Sequence, residues 1–440
     1  MKRVVAVLVW SVISAAFIGP GTVTAAASAG AGFGYALLWA IVFSTLACLV
    51  LQEASARLTV VSGRNLGEAL KERFPRGFAR VVTLVLVLGA IVLGCAAYEA
   101  GNILGGVAGA ALALPFSPSG LTVAVVVSAA LLLWFNSPRR VALFLSVLVA
   151  TMGVAFLWTA IRLRPSAEAL LLASLRPSLP EGSALLAVSL VGTTVVPYNL
   201  FLGSSLARGQ SVGELRFGLT VAVLLGGLIS MGVLVVGAAT EPPLEFSRLS
   251  GVLVDRLGGW ARLLFALGLL AAGLSSAVTA PLAAALTARG TLSSGSADSR
   301  NRPASGRSDW GDRSWRFRLV WGGVLAVGLL FGLSDVKPIP IIILAQALNG
   351  ALLPMVAVFL FVAVNDRRLM GTQVNHSLSN VLMGSITLVT VFLGLVNLAG
   401  AFARLTGDPA PGHGALLLLT AAVGALAAYP VWKTLKRRSG

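Results

Sequence analysis

The sequence predicts an all-α polytopic membrane protein with about twelve transmembrane helices, of which helices 1 and 6 are broken. Three observations carry that prediction. The 440 residues are 57% hydrophobic and only 11% charged, against about 25% charged in soluble domains. The chain therefore lacks the polar groups needed to cover a water-facing surface. Apolar stretches close to the ~20 residues that cross a bilayer as a helix recur along the whole length. Two of them are interrupted by a proline among glycine, hydroxyl or amide residues: Ile18-Gly19-Pro20-Gly21-Thr22 and Gly192-Thr193-Thr194-Val195-Val196-Pro197-Tyr198-Asn199.

In chain order the apolar stretches run over 10–33, 35–58, 79–111, 119–136, 139–161, 184–206, 216–239, 256–288, 317–334, 339–364, 377–402 and 413–432. Breakers and charges fall between them, as in Ser137-Pro138-Arg139-Arg140 and Asn365-Asp366-Arg367-Arg368. Residues 64–75 suit a short helix lying on the membrane, and 291–315 is too rich in Ser, Arg, Asp and Gly to bury a core, so it reads as a flexible loop. Lys2-Arg3 and Ala25-Ala26-Ala27 mimic a secretory signal. Apolar character continues beyond Trp39, however, and Gly19-Pro20-Gly21 interrupts the stretch, which favours a retained first helix. Cys48 and Cys95 each lie in an apolar run without a C-x-x-C neighbour, as buried packing residues do.

The net charge of +17 suggests nucleic acid until its placement is examined. With a cytoplasmic N-terminus and twelve crossings, 25 of the 33 basic residues fall on the cytoplasmic side. This is the positive-inside bias of polytopic membrane proteins, and it accounts for the charge without nucleic acid. It predicts a multi-pass protein of the plasma (inner) membrane with both termini cytoplasmic, in contact with an anionic leaflet.

The two interruptions carry the functional argument. Proline removes a backbone donor and clashes with the preceding turn. Unwound backbone at bilayer depth persists only where protein or a wet cavity satisfies it. With five helices per half, helix 6 is the counterpart of helix 1, which is the pattern of an inverted-repeat secondary transporter. The expected organisation is a first repeat in 1–165 and a second in 180–371, including the loop 290–315. Two peripheral helices and a basic tail follow in 372–440.

These residues resemble the Nramp metal transporters. Gly19-Pro20-Gly21-Thr22 with Phe33-Gly34-Tyr35 and Leu37-Leu38-Trp39 is similar to that family's first helix, where the break reads D-P-G-N with F-G-Y at the same spacing. Val195-Val196-Pro197-Tyr198-Asn199-Leu200 is similar to its sixth-helix M-P-H-N-L. Gln346, eight residues before Pro354, stands where a tenth-helix glutamine stands, and Asp366-Arg367-Arg368-Leu369-Met370-Gly371 is similar to the end of that helix. The resemblance implies a LeuT-type 5+5 inverted repeat and ion-coupled alternating access. It also implies a substrate site at Gly19, Thr22, Thr193, Val196, Tyr198, Asn199 and Gln346, with helix breaks at Pro20, Gly21 and Pro197.

The family's metal ligands are changed here. Its Asp is Gly19, its Asn is Thr22, its Met is Val196 and its sixth-helix His is Tyr198, while the carbonyl donor falls on Thr193 and Asn199 and Gln346 are kept. The metal ligands that remain are oxygens of Thr22, Thr193, Asn199 and Gln346. Transition metals prefer thioether, imidazole and carboxylate, so this set argues against tight manganese or iron binding. It suits a harder ion such as magnesium that keeps several waters.

Glu99, in Tyr98-Glu99-Ala100-Gly101-Asn102, is an intramembrane acid and hence a candidate for proton coupling. Glu53 precedes Arg57 at i+4, the spacing of a structural ion pair. Asn102, Asn349, Thr24 and Ser28 suit either a cavity lining or interhelical hydrogen bonds. His376 and His413 form no cluster. The expected function is secondary transport of a metal cation, proton coupled, through an oxygen-rich site. The alternative cargo is a small uncharged or zwitterionic solute. The sequence carries no Ser-His-Asp set, P-loop or metalloprotease motif, so neither an enzyme nor a resident cofactor is expected. The expected partners are the transported substrate and the lipid bilayer, with no nucleic acid.

Overall fold

A computed structural model describes residues 18–73, 78–135, 139–292, 310–406 and 412–436, and within them every regular element is helical. In order these are α1 (Pro20–Phe33), α2 (Leu38–Ser62), α3 (Leu66–Arg73), α4 (Phe78–Ala111), α5 (Pro118–Trp134), α6 (Arg139–Arg162), α7 (Ala167–Leu175), α8 (Ala184–Thr194) and α9 (Pro197–Leu206). There follow α10 (Val212–Gly237), α11 (Phe246–Leu257), α12 (Trp260–Leu292), α13 (Trp315–Leu333), α14 (Pro338–Ala363), α15 (Arg367–Met370), α16 (Ser377–Thr406) and α17 (His413–Lys436). Among the described residues, nine spans are long and apolar enough to cross a bilayer, counting α8 and α9 as one. The other three expected crossings are α1, whose preceding residues lie outside the described set, the shorter α5, and α17. Lys2-Arg3 of the signal-like stretch and most of the loop 290–315 also lie outside the described residues, whereas Ala25-Ala26-Ala27 are buried in α1.

Local sequence sets the ends of these helices. Ser211 and Glu214 form a reciprocal capping box at the start of α10. Ser117 and Ser314 cap α5 and α13. Gly63 ends α2 in the left-handed region at φ 71°. The anticipated surface helix is α3, seated by buried Leu66, Ala69 and Leu70. Three short helices, α7, α11 and α15, were not anticipated. They fall in segments between the apolar runs, where a search for bilayer-length stretches does not look.

Large apolar side chains such as Leu131, Phe144, Ile161 and Leu330 point outward, as a lipid-facing surface requires. The interior is built from small residues, because van der Waals packing rather than water exclusion holds helices together in lipid. Gly106 of α4 meets Gly273 of α12 backbone to backbone. The packing is reciprocal between the halves: α1 lies on α10 as α9 lies on α2, and α4 lies on α14 as α12 lies on α6.

The Glu53–Arg57 pair forms as expected, with Nε 3.1 Å from the carboxylate. It belongs to a larger network. Arg216 of α10 also donates to Glu53, at 2.8 Å, and Arg57 donates to the Gln373 carbonyl at 2.7 Å and to Asn375 Oδ1 at 2.5 Å. Asn375 donates to Asn380, which exchanges two hydrogen bonds with Asn365. Cys48 and Cys95 are free and buried.

Candidate functional site

The sixth span unwinds where the sequence requires it. α8 ends at Thr194, Val195 and Val196 leave helical geometry, and α9 restarts with Pro197 at its first position. The i+4 partner of the Thr193 carbonyl would be Pro197, which has no N–H. That oxygen is thus released from the helical ladder at the negative end of a half-helix, where cations are favoured. α1 starts in the same way: Gly19 is extended (φ −83°, ψ 174°), Pro20 occupies the first position, and no side chain caps the turn. Val196 is its counterpart, extended at φ −76° and ψ 123° and likewise uncapped.

Tertiary packing brings the two breaks together. The Thr22 and Thr193 hydroxyls are hydrogen bonded at 3.0 Å although 171 residues separate them. Gln346 of α14 lies between the broken elements: its side-chain amide fills the place a Cβ on Gly21 would take, and its carbonyl lies where a Cβ on Gly192 would. Pro20 is seated on Gly105 of α4, so the turn that starts α1 is held from behind. Thr22, Thr193, Val196, Tyr198, Asn199 and Gln346 are all buried.

Polar groups without partners concentrate here. Both amide atoms of Asn199, both of Gln346, and the hydroxyls of Thr24, Ser28, Tyr98 and Tyr198 are buried without a hydrogen bond. Native interiors leave few such groups unpaired, so this density marks a place built to meet something else. Tyr98 meets Tyr198 edge to face at 5.2 Å.

Glu99 is the one acidic residue that is buried among the described residues. Its Oε2 accepts a long bond from Asn102 at 3.4 Å, while Oε1 has no partner. Its stem packs on Gly328 of α13. Asn349, by contrast, donates to the Ala345 carbonyl of its own helix at 3.0 Å and to the Gly94 carbonyl of α4 at 3.4 Å, which ties α14 to α4. Among the described residues no three His, Cys, Asp or Glu side chains come together. The constellation offers neutral polar groups only, and the acid Glu99 stands one residue on from Tyr98 in α4.

The structure thus joins Gly21, Thr22, Thr193 and Gln346, pairs Tyr198 with Tyr98, and places Asn199 on the first turn of α9, where its own carbonyl accepts from Gln52 at 3.1 Å. Two contributors emerge only from the packing: the Tyr98–Tyr198 pair and the Gly192–Gly350 contact. Tyr98 stands beside Glu99 in the sequence, but only the packing of α4 against α9 gives it a role. A Cβ on Gly192 would meet the Gln346 carbonyl and lie 2.5 Å from the Gly350 nitrogen, and nothing in the sequence pairs those glycines.

Comparison with known proteins bears on the family and the fold. Residues 11–400 match the model of the family described as natural resistance-associated macrophage protein-like, Nramp. A divalent metal cation transporter MntH of Verminephrobacter eiseniae is 32% identical over 299 residues, covering 63% of this chain and 67% of that protein. A manganese transporter of Eremococcus coleocola superposes with a TM-score of 0.70 at 19% identity, over 97% of this chain and 92% of that one. Mhp1, a nucleobase-cation-symport-1 family transporter, follows with a TM-score of 0.58 at 17% identity, over 98% and 93%. At those identities the structural likenesses establish the fold.

Proposed function

Because the chain belongs to the Nramp family of membrane transporters, which are not enzymes, we propose that it carries a divalent cation across the membrane through a site of neutral oxygens. The observation behind this reading is the Thr22–Thr193 contact, which closes the two breaks on each other beside Gln346. A cation entering there opens that hydrogen bond and takes up both hydroxyls, the freed Thr193 carbonyl and the unpartnered amides of Asn199 and Gln346. Such a set cannot replace a whole hydration shell. It therefore suits a hard ion that keeps part of its water, magnesium before manganese. We assign the repeats to 1–165 and 180–371, followed by two peripheral helices in 372–440, an assignment supported by the reciprocal packing of the halves. Both termini are placed in the cytoplasm on the basis of the distribution of basic residues.

The test is saturable uptake of magnesium and manganese into proteoliposomes. Magnesium uptake is expected, with apparent affinity about tenfold weaker in Thr22→Val and in Asn199→Ala, the order expected for one lost oxygen partner. Absence of uptake for both ions, together with heat stabilisation by a small organic solute, would overturn the cation reading. It would favour the uncharged or zwitterionic cargo that a site without carboxylates also suits.

Glu99 is assigned the coupling role. A dication in a low-dielectric site needs compensating negative charge, and a proton leaving Glu99 as the ion arrives would supply it. Glu99→Gln is expected to flatten the pH dependence of uptake and lower its rate. A variant with parental rate and parental pH dependence would reject the assignment.

A further inference from the structure

We propose that the pocket between α2, α10 and the start of α16 holds the headgroup of an anionic phospholipid. The pocket has a volume of about 350 Å³ and its polar wall includes Glu53, Arg57, Arg216 and His376. The single Glu53 carboxylate is shared by two guanidinium groups, through Arg57 Nε at 3.1 Å and Arg216 Nε at 2.9 Å. The ion cluster therefore keeps one uncompensated positive charge. Arg57 is buried and its terminal nitrogens are committed to the Gln373 carbonyl and Asn375. Arg216, whose side chain is 59% exposed, is the cation available at the mouth. The wall is pre-organised, because Asn375 is held by Asn380 and Asn380 by Asn365.

The surroundings select the kind of anion. Leu49, Leu219 and Leu382 line the same pocket. Leu382, 49% exposed, brings this apolar wall to the surface of the bundle. A small soluble anion gains nothing from an apolar rim. A phosphodiester attached to acyl chains matches both halves, since guanidinium groups bind phosphate oxygens through charge-assisted hydrogen bonds. Arg367 and Arg368 lie on α15, which packs against α2, one wall of the pocket, and clustered basic residues favour anionic lipid. None of this depends on which cargo the central site takes.

The experiment uses the full chain in detergent, titrated with phosphatidylglycerol, with phosphatidylcholine of the same acyl chains, or with inorganic phosphate. Unfolding midpoints are read alongside lipid adducts in native mass spectra. Phosphatidylglycerol is expected to raise the midpoint and to be retained as an adduct, while the other two additives leave both unchanged. Arg216→Gln is expected to weaken the phosphatidylglycerol response about tenfold, the cost of one charge-assisted contact. Thr220→Trp fills the pocket at an exposed position with every charge in place, and is expected to abolish the response. Equal responses to phosphatidylcholine, a full response to inorganic phosphate, or an undiminished response in a folded Thr220→Trp variant would each overturn the proposal.

Discussion

Replacing Gly192 with valine is expected to leave little folded transporter, seen as a lost monodisperse peak in detergent and a collapsed unfolding midpoint. The hydrogen on that α-carbon faces the backbone of α14, where a Cβ would overlap the Gln346 carbonyl and lie 2.5 Å from the Gly350 nitrogen. Gly350 faces the Val188 carbonyl in return, so neither helix can yield by turning a side chain. Overpacking of side chains alone costs about 1–3 kcal/mol, and here the obstacle is main chain on both sides. α8 must move away from α14, which also withdraws Thr193 from Thr22. The matched control is Gly213→Ala. It lies in the first turn of α10 with open space around it, and should be neutral or slightly stabilising, because alanine loses less backbone entropy than glycine in a helix. A folded Gly192→Val protein with parental uptake would show that the close approach of α8 and α14 is unnecessary.

Restoring the family's ligand pair with Gly19→Asp and Thr22→Asn is expected to tighten manganese binding by at least about 100-fold, equivalent to some 2.7 kcal/mol. It should also turn the preference from magnesium toward manganese. Gly19 is extended rather than left-handed, a backbone that aspartate adopts without strain. It is also the N-cap of α1, where a carboxylate accepts from the free N–H groups and faces the positive helix end. The new carboxylate lies in a buried position, so without a cation it is an unpaired charge whose burial is costly. The variant should therefore depend on divalent ions for its thermal stability, whereas the parent should not. Calorimetric titration of both proteins with the two ions checks the prediction. A folded double variant with unchanged manganese affinity would mean that charge is not what separates this site from those of its relatives.

These predictions rest on features of unequal legibility. Membrane residence, the order of the nine spans among the described residues, and the helix starts at Pro20 and Pro197 could be read directly, because each is a local property. An apolar run of bilayer length is helical since its backbone must satisfy itself. A proline at position 20 or 197 interrupts that helix whatever surrounds it. The chemistry of the site was equally visible, since no carboxylate, thioether or imidazole stands in either interruption.

What tertiary structure alone decided is which of these groups face one another. The 3.0 Å contact between Thr22 and Thr193, the placement of Gln346 over Gly21, and the Tyr98–Tyr198 pair behind them depend on helices approaching at glycines far apart in the chain. The same holds for the shared Glu53 carboxylate: its i+4 partner Arg57 was evident, but Arg216 reaches it from another span. A helix face offers many small residues, and sequence alone does not state which of them meets which backbone. The sequence therefore fixes where the membrane helices run and where they open, whereas the bundle selects the oxygens that converge, because convergence is a property of packed backbones and not of any one segment.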